Sequence, residues 1–551
     1  MIAVGVTVGD ATSVSVAIGV IISVGIGVWG VFGVSVIART AISVSVRITI
    51  SVSVGILSVG VTSRITLSTI RLWKSAISLL IWQVHSDPLV NTPLGNFSGL
   101  TEVFQNVTVN SYLGIPFALP PLGERRFRKP EPAVLHLDTM NVTEYKNHCV
   151  NTFFADQQQS EDSEDCLYLN VFTPGDIVVE DANASVLVWI YGGGFVGGLA
   201  EYYDGLKRFT KKGNIVVTFN YRIGPLGFLS TEDEHARGKY GLWEEVLAMK
   251  WMKNNIQYFG GDSDNIIIFG ESAGSASVSM HTVSRASSGL FQRAIMQSGT
   301  LFSPWSIERH PLHYARRLGV LLGCVTDSNS NLMECLRNKP ISEIRKFSGD
   351  VETFVPRAIT SFVWTPVVDG DFLHAPPDQI FQMMENSNIP QCDILIGLNE
   401  NEGSLASVLA MIQRSKFPSI DYWTNGTSLR SEPVYIRTTA PEHNPGISNA
   451  TTMGHGADLA FLLDDFESGE FATAADKTLS SNIMNYWSNF AESGDPNRPH
   501  SMPTKWPQYT SESEKYLVLS GNMTSQSVRS KLLAQRMALW NNVLPAMLPP
   551  V

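Results

Sequence analysis

Apolar and polar positions divide the chain into two textures. From residue 1 to about residue 86, Val, Ile, Ser and Gly recur in near-alternating order, as in SVSVRITISVSVG. From residue 87 onward, short apolar runs bounded by Gly, Pro and Asn alternate with stretches of helical spacing. Continuous apolar runs of this length read as strands covered on both faces. They fall at residues 167–172, 185–191 (SVLVWIY), 214–221 (NIVVTFNY), 265–269, 291–297 and 392–398 (CDILIGL). Shorter strands are read at 90–96, 107–112 and 433–438. Residues 242–256 read as a helix, because Leu242, Val246, Met249 and Met252 recur at its period. The tail reads as helical over 479–492 and 527–544, and residues 116–132 as a proline-rich, basic surface loop. Strands alternating with helices predict an α/β fold with a mostly parallel central sheet. Ligands then bind beyond the carboxyl ends of the strands.

One stretch organises the rest. The apolar run Ile266-Ile267-Ile268-Phe269 leads into Gly270-Glu271-Ser272-Ala273-Gly274, and small residues continue as a helix over 276–281. Strand, sharp turn and helix are the setting of a G-x-S-x-G nucleophile elbow. The five-residue pattern alone also describes an ordinary glycine-rich turn; its flanking elements make it specific. A second feature sits where SVLVWIY ends in Gly192-Gly193-Gly194-Phe195. Three glycines after a strand leave backbone N–H groups unobstructed, as an oxyanion hole requires. A dinucleotide loop would need a G-x-G-x-x-G helix start, which does not follow.

A serine nucleophile needs a base, and the base an acid to hold its tautomer. On such a sheet the chain order is Ser, acid, His. After Cys392 the histidines are His443, His455 and His500. His443 and His500 lie in proline-flanked loop sequence, whereas His455 lies between two glycines ahead of a helix. Glu400 and Glu402 both follow the 392–398 strand. Glu402 is preferred because Gly403 lets its backbone turn toward the sheet.

Composition narrows the setting. The 551 residues carry a formal charge of −11. Within residues 1–85, Asp10 stands against Arg39, Arg47, Arg64, Arg71 and Lys74, a net +4, so the remainder carries −15. An acidic body without basic blocks argues against nucleic-acid binding. The five cysteines form two close pairs, Cys149 with Cys166 and Cys324 with Cys335, leaving Cys392. That spacing suggests two short-loop disulfides. Sequons at Asn96, Asn106, Asn141, Asn183, Asn425, Asn449 and Asn522 fit a glycosylated protein of the secretory pathway.

Residues 1–86 admit three readings. The uncharged stretch 11–38 is long enough to span a bilayer. Residues 76–84, after Lys74, resemble a targeting h-region. The whole segment also reads as low-complexity sequence from an upstream start. On each reading it stands apart from a single domain over 87–551, and an N-terminal membrane contact stays open.

The motifs LGIPFALPPLGERRF, SEDCLYLNV, VLVWIYGGGF, NYRIGPLGFL, QYFGGDSDNIIIFGESAGSASVSMH, FQRAIMQSG, PVVDGDFL, GLNENEGS and MGHGADLAF resemble the type-B carboxylesterases, the family of the cholinesterases and the non-catalytic neuroligins. The resemblance runs from about Asp87 to the C-terminus. It implies an α/β-hydrolase fold, with Ser272 as nucleophile, Glu402 as triad acid and His455 as base. It implies oxyanion donors on Gly193, Gly194 and Ala273. It implies the disulfides Cys149–Cys166 and Cys324–Cys335, and an ion pair between Arg126 and Glu164. Glu271 matches the acidic residue beside the family's nucleophile, and Trp305 and Phe362 match positions bordering the acyl pocket.

The chain also departs from that pattern. Only 53 positions separate Glu402 from His455, where relatives carry a longer, mostly helical segment. No tryptophan lies between Cys149 and Cys166, where cholinesterases hold choline. The expectation is a serine carboxylesterase of neutral short-to-medium acyl esters, acting on small-molecule substrates with no metal or cofactor. The alternatives are a cholinesterase-like enzyme, a neuroligin-like adhesion ectodomain and an inactive shortened relative. Oligomeric state is not readable from this pattern.

Overall fold

The computed structural model describes residues 2–8, 13–24, 28–39, 43–54, 57–64, 87–134, 138–152, 162–175, 177, 183–354, 362–377, 379–380, 392–400, 402, 454–463 and 472–532. The chain divides into two units, Met1–Ser86 and Asp87–Val551.

In the first unit the alternating pattern becomes five strands: Ile2–Val8, Ser13–Val24, Val28–Arg39, Ser43–Val54 and Leu57–Arg64. They pair antiparallel in sequence order. β-Branched residues at alternate positions suit a pleated surface. Within the stretch 11–38, long enough to span a bilayer as a helix, the described residues form two strands of a meander, Ser13–Val24 and Val28–Arg39. No helix among the described residues is long and apolar enough to cross a membrane. The targeting-like residues 76–84 lie outside the described residues.

The second unit is built on an eight-stranded sheet. Its strands are β1 (Leu100–Phe104), β2 (Val107–Pro116), β3 (Tyr168–Pro174), β4 (Ala184–Ile190), β5 (Ile215–Phe219), β6 (Gly261–Glu271), β7 (Arg293–Gln297) and β8 (Asp393–Gly397). They lie in the order β8-β7-β6-β4-β5-β3-β2-β1. The ladders from β5 through β4, β6 and β7 to β8 are parallel. Those joining β5, β3, β2 and β1 are antiparallel. The sheet is mixed, and its site-bearing half is the parallel one. The apolar runs explain that division. Val186 to Ile190, Ile215 to Val217 and Ile266 to Phe269 are all fully buried. Helices α1 (Tyr240–Asn255), α2 (Ala273–Val283) and α6 (Ala474–Ser493) lie against β6. A strand covered by helices has no polar face to show.

Helices α3 (Pro311–Leu321) and α4 (Asn329–Arg337) are stapled by Cys324–Cys335, and a second disulfide joins Cys149 to Cys166. Helix α5 (Ile341–Phe354) follows. Cys392 is free. The fork of Arg126 meets Glu164 bidentately, Nε to Oε1 at 2.6 Å and Nη2 to Oε2 at 2.5 Å. Its Nη1 also donates to the carbonyls of Arg337 and Lys339. The second disulfide loop is thereby held to the carboxyl end of α4.

Two expectations need correction. Residues 116–132 are not all surface loop, since Phe117, Ala118, Arg126 and Phe127 are buried. The prolines route the chain inward, and Glu164 neutralises the buried arginine. Of the helix expected over 527–544, residues 528–532 are not helical and residues 533–544 lie outside the described residues. Val528–Ser530 is a strand paired antiparallel with Lys515–Leu517, preceded by a capped 3-10 turn at Ser525–Ser527. The expected strand at 433–438, the interval 403–453 with His443, and the sequons at Asn425 and Asn449 lie outside the described residues.

Candidate active site

The chain order of β4, β5 and β6 makes the site. From β4 the chain steps to β5 on one side, then crosses back to β6 on the other. A crevice opens where the connections diverge. The two glycine-rich loops that leave the carboxyl ends of β4 and β6 meet there.

Ser272 follows β6 directly and caps α2, with φ 58° and ψ −120°. A non-glycine residue at positive φ is strained and persists only where its surroundings over-determine it. The restraints are visible. The Ser272 N–H donates to the Gln297 carbonyl at 2.9 Å, and its carbonyl accepts from Ala276 N–H at 2.9 Å. A Cβ on Gly274 would stand 2.0 Å from the Ile190 carbonyl oxygen, and one on Gly270 2.5 Å from it. Only glycines allow the elbow to press on the end of β4.

His455 reaches the elbow from a turn after residue 454. Its Nε2 lies 2.8 Å from Ser272 Oγ, and its Nδ1 lies 2.5 Å from Glu402 Oε2. A carboxylate at Nδ1 keeps the ring proton there, so the Nε2 lone pair faces the serine hydroxyl. The other oxygen of Glu402 accepts from Asn399 N–H at 2.6 Å and from the Ser298 hydroxyl. It is Glu402, not Glu400, that meets the imidazole; Glu400 is buried two residues earlier.

Glu271 brings a second carboxyl to the imidazole at its other nitrogen, the one facing Ser272, Oε1 to Nε2 at 3.2 Å. Burial pushes its pKa up to about 8, aided by the charges of Asp458 and Glu402 and opposed by His455. Protonated, this carboxyl avoids repulsion with the Nε2 lone pair; ionised, it favours the imidazolium. Burial pulls the His455 imidazole down. The hydrogen bond to Glu402 and the charges of Glu271, Glu402 and Asp458 outweigh it, so its pKa is raised.

On the β4 side, Gly193 and Gly194 have φ of 107° and 65°. A Cβ on Gly193 would strike the Gly197 carbonyl oxygen at 2.3 Å, and one on Gly194 the Phe362 ring at 2.6 Å. The N–H groups of Gly193, Gly194 and Ala273 donate to nothing among the described residues. For Ala273 this is the ordinary condition of a first helical residue. Phe362 closes over the glycine loop, and Trp305 lies 6.5 Å, centroid to centroid, from Phe195 of the same loop. Phe153, Phe154 and Thr360 lie outside the described residues.

Sequence reasoning missed three residues that support this set: Gln297, Asn399 and Asp458. The Asp458 carboxylate accepts from Asn399 Nδ2 at 2.8 Å and from Gln297 Nε2 at 2.6 Å. The available signal was an acid three positions after the candidate histidine, the spacing that shares one face of a helical turn.

Comparison with known proteins agrees with the geometry. The profile of the carboxylesterase family matches residues 86–425 and 416–540. The chain is 32% identical to the bile salt-activated lipase of Bos taurus, over 83% of this chain and 86% of the relative. It is 33% identical to the cholinesterase of Mus musculus, over 88% and 92%. To the bile salt-activated lipase of Rattus norvegicus it is 32% identical, over 81% and 83%. With a family-wide match from residue 86 and an α/β-hydrolase sheet, this chain belongs to the carboxylesterase family and is a carboxylic ester hydrolase of the serine type.

Proposed function

We propose that the chain hydrolyses neutral carboxylic esters of short-to-medium acyl length through an acyl-enzyme on Ser272. The observation that carries this reading is the His455 ring, with Ser272 Oγ on one nitrogen and the Glu402 carboxylate on the other. His455 Nε2 takes the serine proton as Oγ attacks the ester carbonyl. Glu402 holds the tautomer and stabilises the imidazolium, assisted by the charge of Asp458. The N–H groups of Gly193, Gly194 and Ala273 receive the oxyanion. The imidazolium then protonates the leaving alcohol, and water returns along the same path to release the acid.

Substrate preference rests on the aromatic surface. Phe362 and Trp305 border the oxyanion loop, which suits an apolar acyl group. A quaternary ammonium is held best by a tryptophan face, at ~0.5–2 kcal/mol per contact. Residues 150–165 contain none. The mouse cholinesterase comparison favours the other reading, a choline-ester preference, and makes it the outcome to exclude. The secretory route is supported by the two disulfides and by exposed sequon asparagines at Asn106, Asn141, Asn183 and Asn522. For residues 1–86 the reading is a segment outside the catalytic fold, with membrane contact as its open role.

The test is fluorophosphonate labelling of the purified chain with mapping of the labelled peptide, then kcat/KM for a thiocholine ester against its neutral carbon isostere. Label on Ser272 and a neutral preference are expected. Label elsewhere removes the mechanism; a tenfold preference for the charged ester removes the substrate class.

A further inference from the structure

We propose that Asp458 is a positioning residue that fixes the His455 turn to the carboxyl ends of β7 and β8. The inference rests on Ser272, His455 and Glu402 forming the catalytic set. Asp458 lies three residues beyond His455, at the entry to the short helix Leu459–Leu463. Its two oxygens accept from two amides on two adjacent parallel strand ends. Gln297 is the last residue of β7, and Asn399 lies two residues past β8. Burial pushes the Asp458 pKa up, and the two amide N–H donors on separate oxygens oppose it by favouring the ionised form.

The same two strand ends grip the other members of the set. Ser298, just past β7, and the Asn399 backbone N–H both donate to Glu402. The Gln297 backbone carbonyl receives the Ser272 N–H. Gln297 therefore holds the nucleophile by its main chain and the base, through Asp458, by its side chain. Its amide is oriented in turn by Trp487, whose Nε1 donates to Gln297 Oε1 at 3.3 Å. Among the described residues, the side-chain hydrogen bonds tying 454–458 to the sheet are those of His455 and Asp458. Without the Asp458 bracket, the imidazole would be held only by Glu402 and by the serine whose proton it must take.

The chemistry of the bracket discriminates among substitutions. Asp458→Ala loses both arms. Asp458→Asn keeps one acceptor oxygen and offers an N–H₂ where an acceptor stood. Asn399 can flip its amide to meet it, but Gln297 is pinned by Trp487. Asp458→Asn therefore keeps the Gln297 arm on its oxygen and the Asn399 arm in reversed sense, and loses the charge that, with Glu271 and Glu402, raises the His455 pKa.

The experiment compares full-length wild type, Asp458→Ala, Asp458→Asn, Gln297→Leu, the Asp458→Ala/Gln297→Leu double variant and Ser272→Ala on a neutral p-nitrophenyl ester. Each rate is normalised to the titre of folded enzyme. A misplaced base is expected to cost Asp458→Ala roughly 100-fold in kcat. KM should change by less than about threefold, as for loss of an interaction made in the transition state. Gln297→Leu should cost less, and the double variant no more than Asp458→Ala, because the two act as one unit. In Asp458→Asn the acid limb of kcat/KM should move to lower pH, since less negative charge favours the neutral imidazole. A purely structural role would lower the folded titre and leave that limb in place. The bracket is overturned if Asp458→Asn and Gln297→Leu both keep wild-type kcat with an unmoved limb, whether or not Asp458→Ala folds. Turnover by Ser272→Ala would instead overturn the catalytic set itself.

Discussion

Glu271 Oε1 stands 3.2 Å from His455 Nε2, on the ring nitrogen that also faces Ser272 Oγ. Two titratable groups in contact share their protons, and the pair has a definite effect on stability.

Burial raises the Glu271 pKa to about 8, above its value in an unfolded chain. The folded protein therefore holds a proton that the unfolded chain releases near pH 4–5. Stability from this group is present at low pH and is lost as pH rises toward 8. His455, whose pKa is also raised, acts in the same direction, losing its contribution as pH rises through the folded value. Glu271→Gln mimics the protonated carboxyl permanently. It should match wild type near pH 4.5 and exceed it increasingly toward pH 8. Each tenfold change in proton affinity is worth ~1.4 kcal/mol. Urea midpoints at pH 5 and pH 8 measure the gap, and a gap that does not grow with pH would refute the assignment.

The serine, the imidazole and Glu402 should behave as one unit. Ser272→Ala and His455→Ala are each expected to lose ~10⁴-fold or more in kcat. The double substitution should be no worse than either alone. Multiplying losses, measured against a neutral ester with labelling as a control for residual wild type, would mean that the two residues act separately.

The glycine loop yields a rescue experiment. In Gly194→Ala the new Cβ meets the Phe362 ring, a side chain, whereas in Gly193→Ala it meets the Gly197 carbonyl, which is backbone. Both substitutions displace oxyanion donors and should cost ~10²–10³ in kcat. Adding Phe362→Ala removes the obstacle for the Gly194→Ala variant only. Partial recovery in that double variant, with none in Gly193→Ala/Phe362→Ala, is the expected pattern. Equal recovery in both would show that the ring does not set the loop.

The buried strands and the elbow were legible because burial on both faces leaves a mark in the residues themselves. Val186 to Ile190 and Ile266 to Phe269 are apolar without interruption, and Gly270 and Gly274 bracket the serine. The acid was less legible. Glu400 and Glu402 follow the same strand, and only the fold decides which carboxylate reaches the ring. Of the Asp458 bracket only the acid, three positions after His455, left a mark in the sequence; Gln297 and Asn399 are brought to it by strand order rather than by spacing. Residues 116–132 misled for a related reason. Proline and arginine read as surface, but Arg126 is buried against Glu164, a partner 38 positions away.

The last prediction concerns the division at Ser86. Every ladder of the five-stranded sheet joins neighbouring strands within Met1–Ser86. The eight-stranded sheet, both disulfides and every residue assigned to catalysis lie between Leu100 and Asp458. The second unit has its own core, with Trp189, Tyr191, Trp364 and Tyr486 among its fully buried side chains. A unit with a complete core and a complete site should fold alone. A chain beginning at Asp87 should therefore keep the thermal midpoint of the full-length protein's second unit, its fluorophosphonate labelling and its kcat within about twofold, the scale of change for a substitution remote from the site. Secreted expression with titration of labelled sites is the measurement. Aggregation of that chain beside a soluble full-length protein would show that residues 1–86 contribute to the fold.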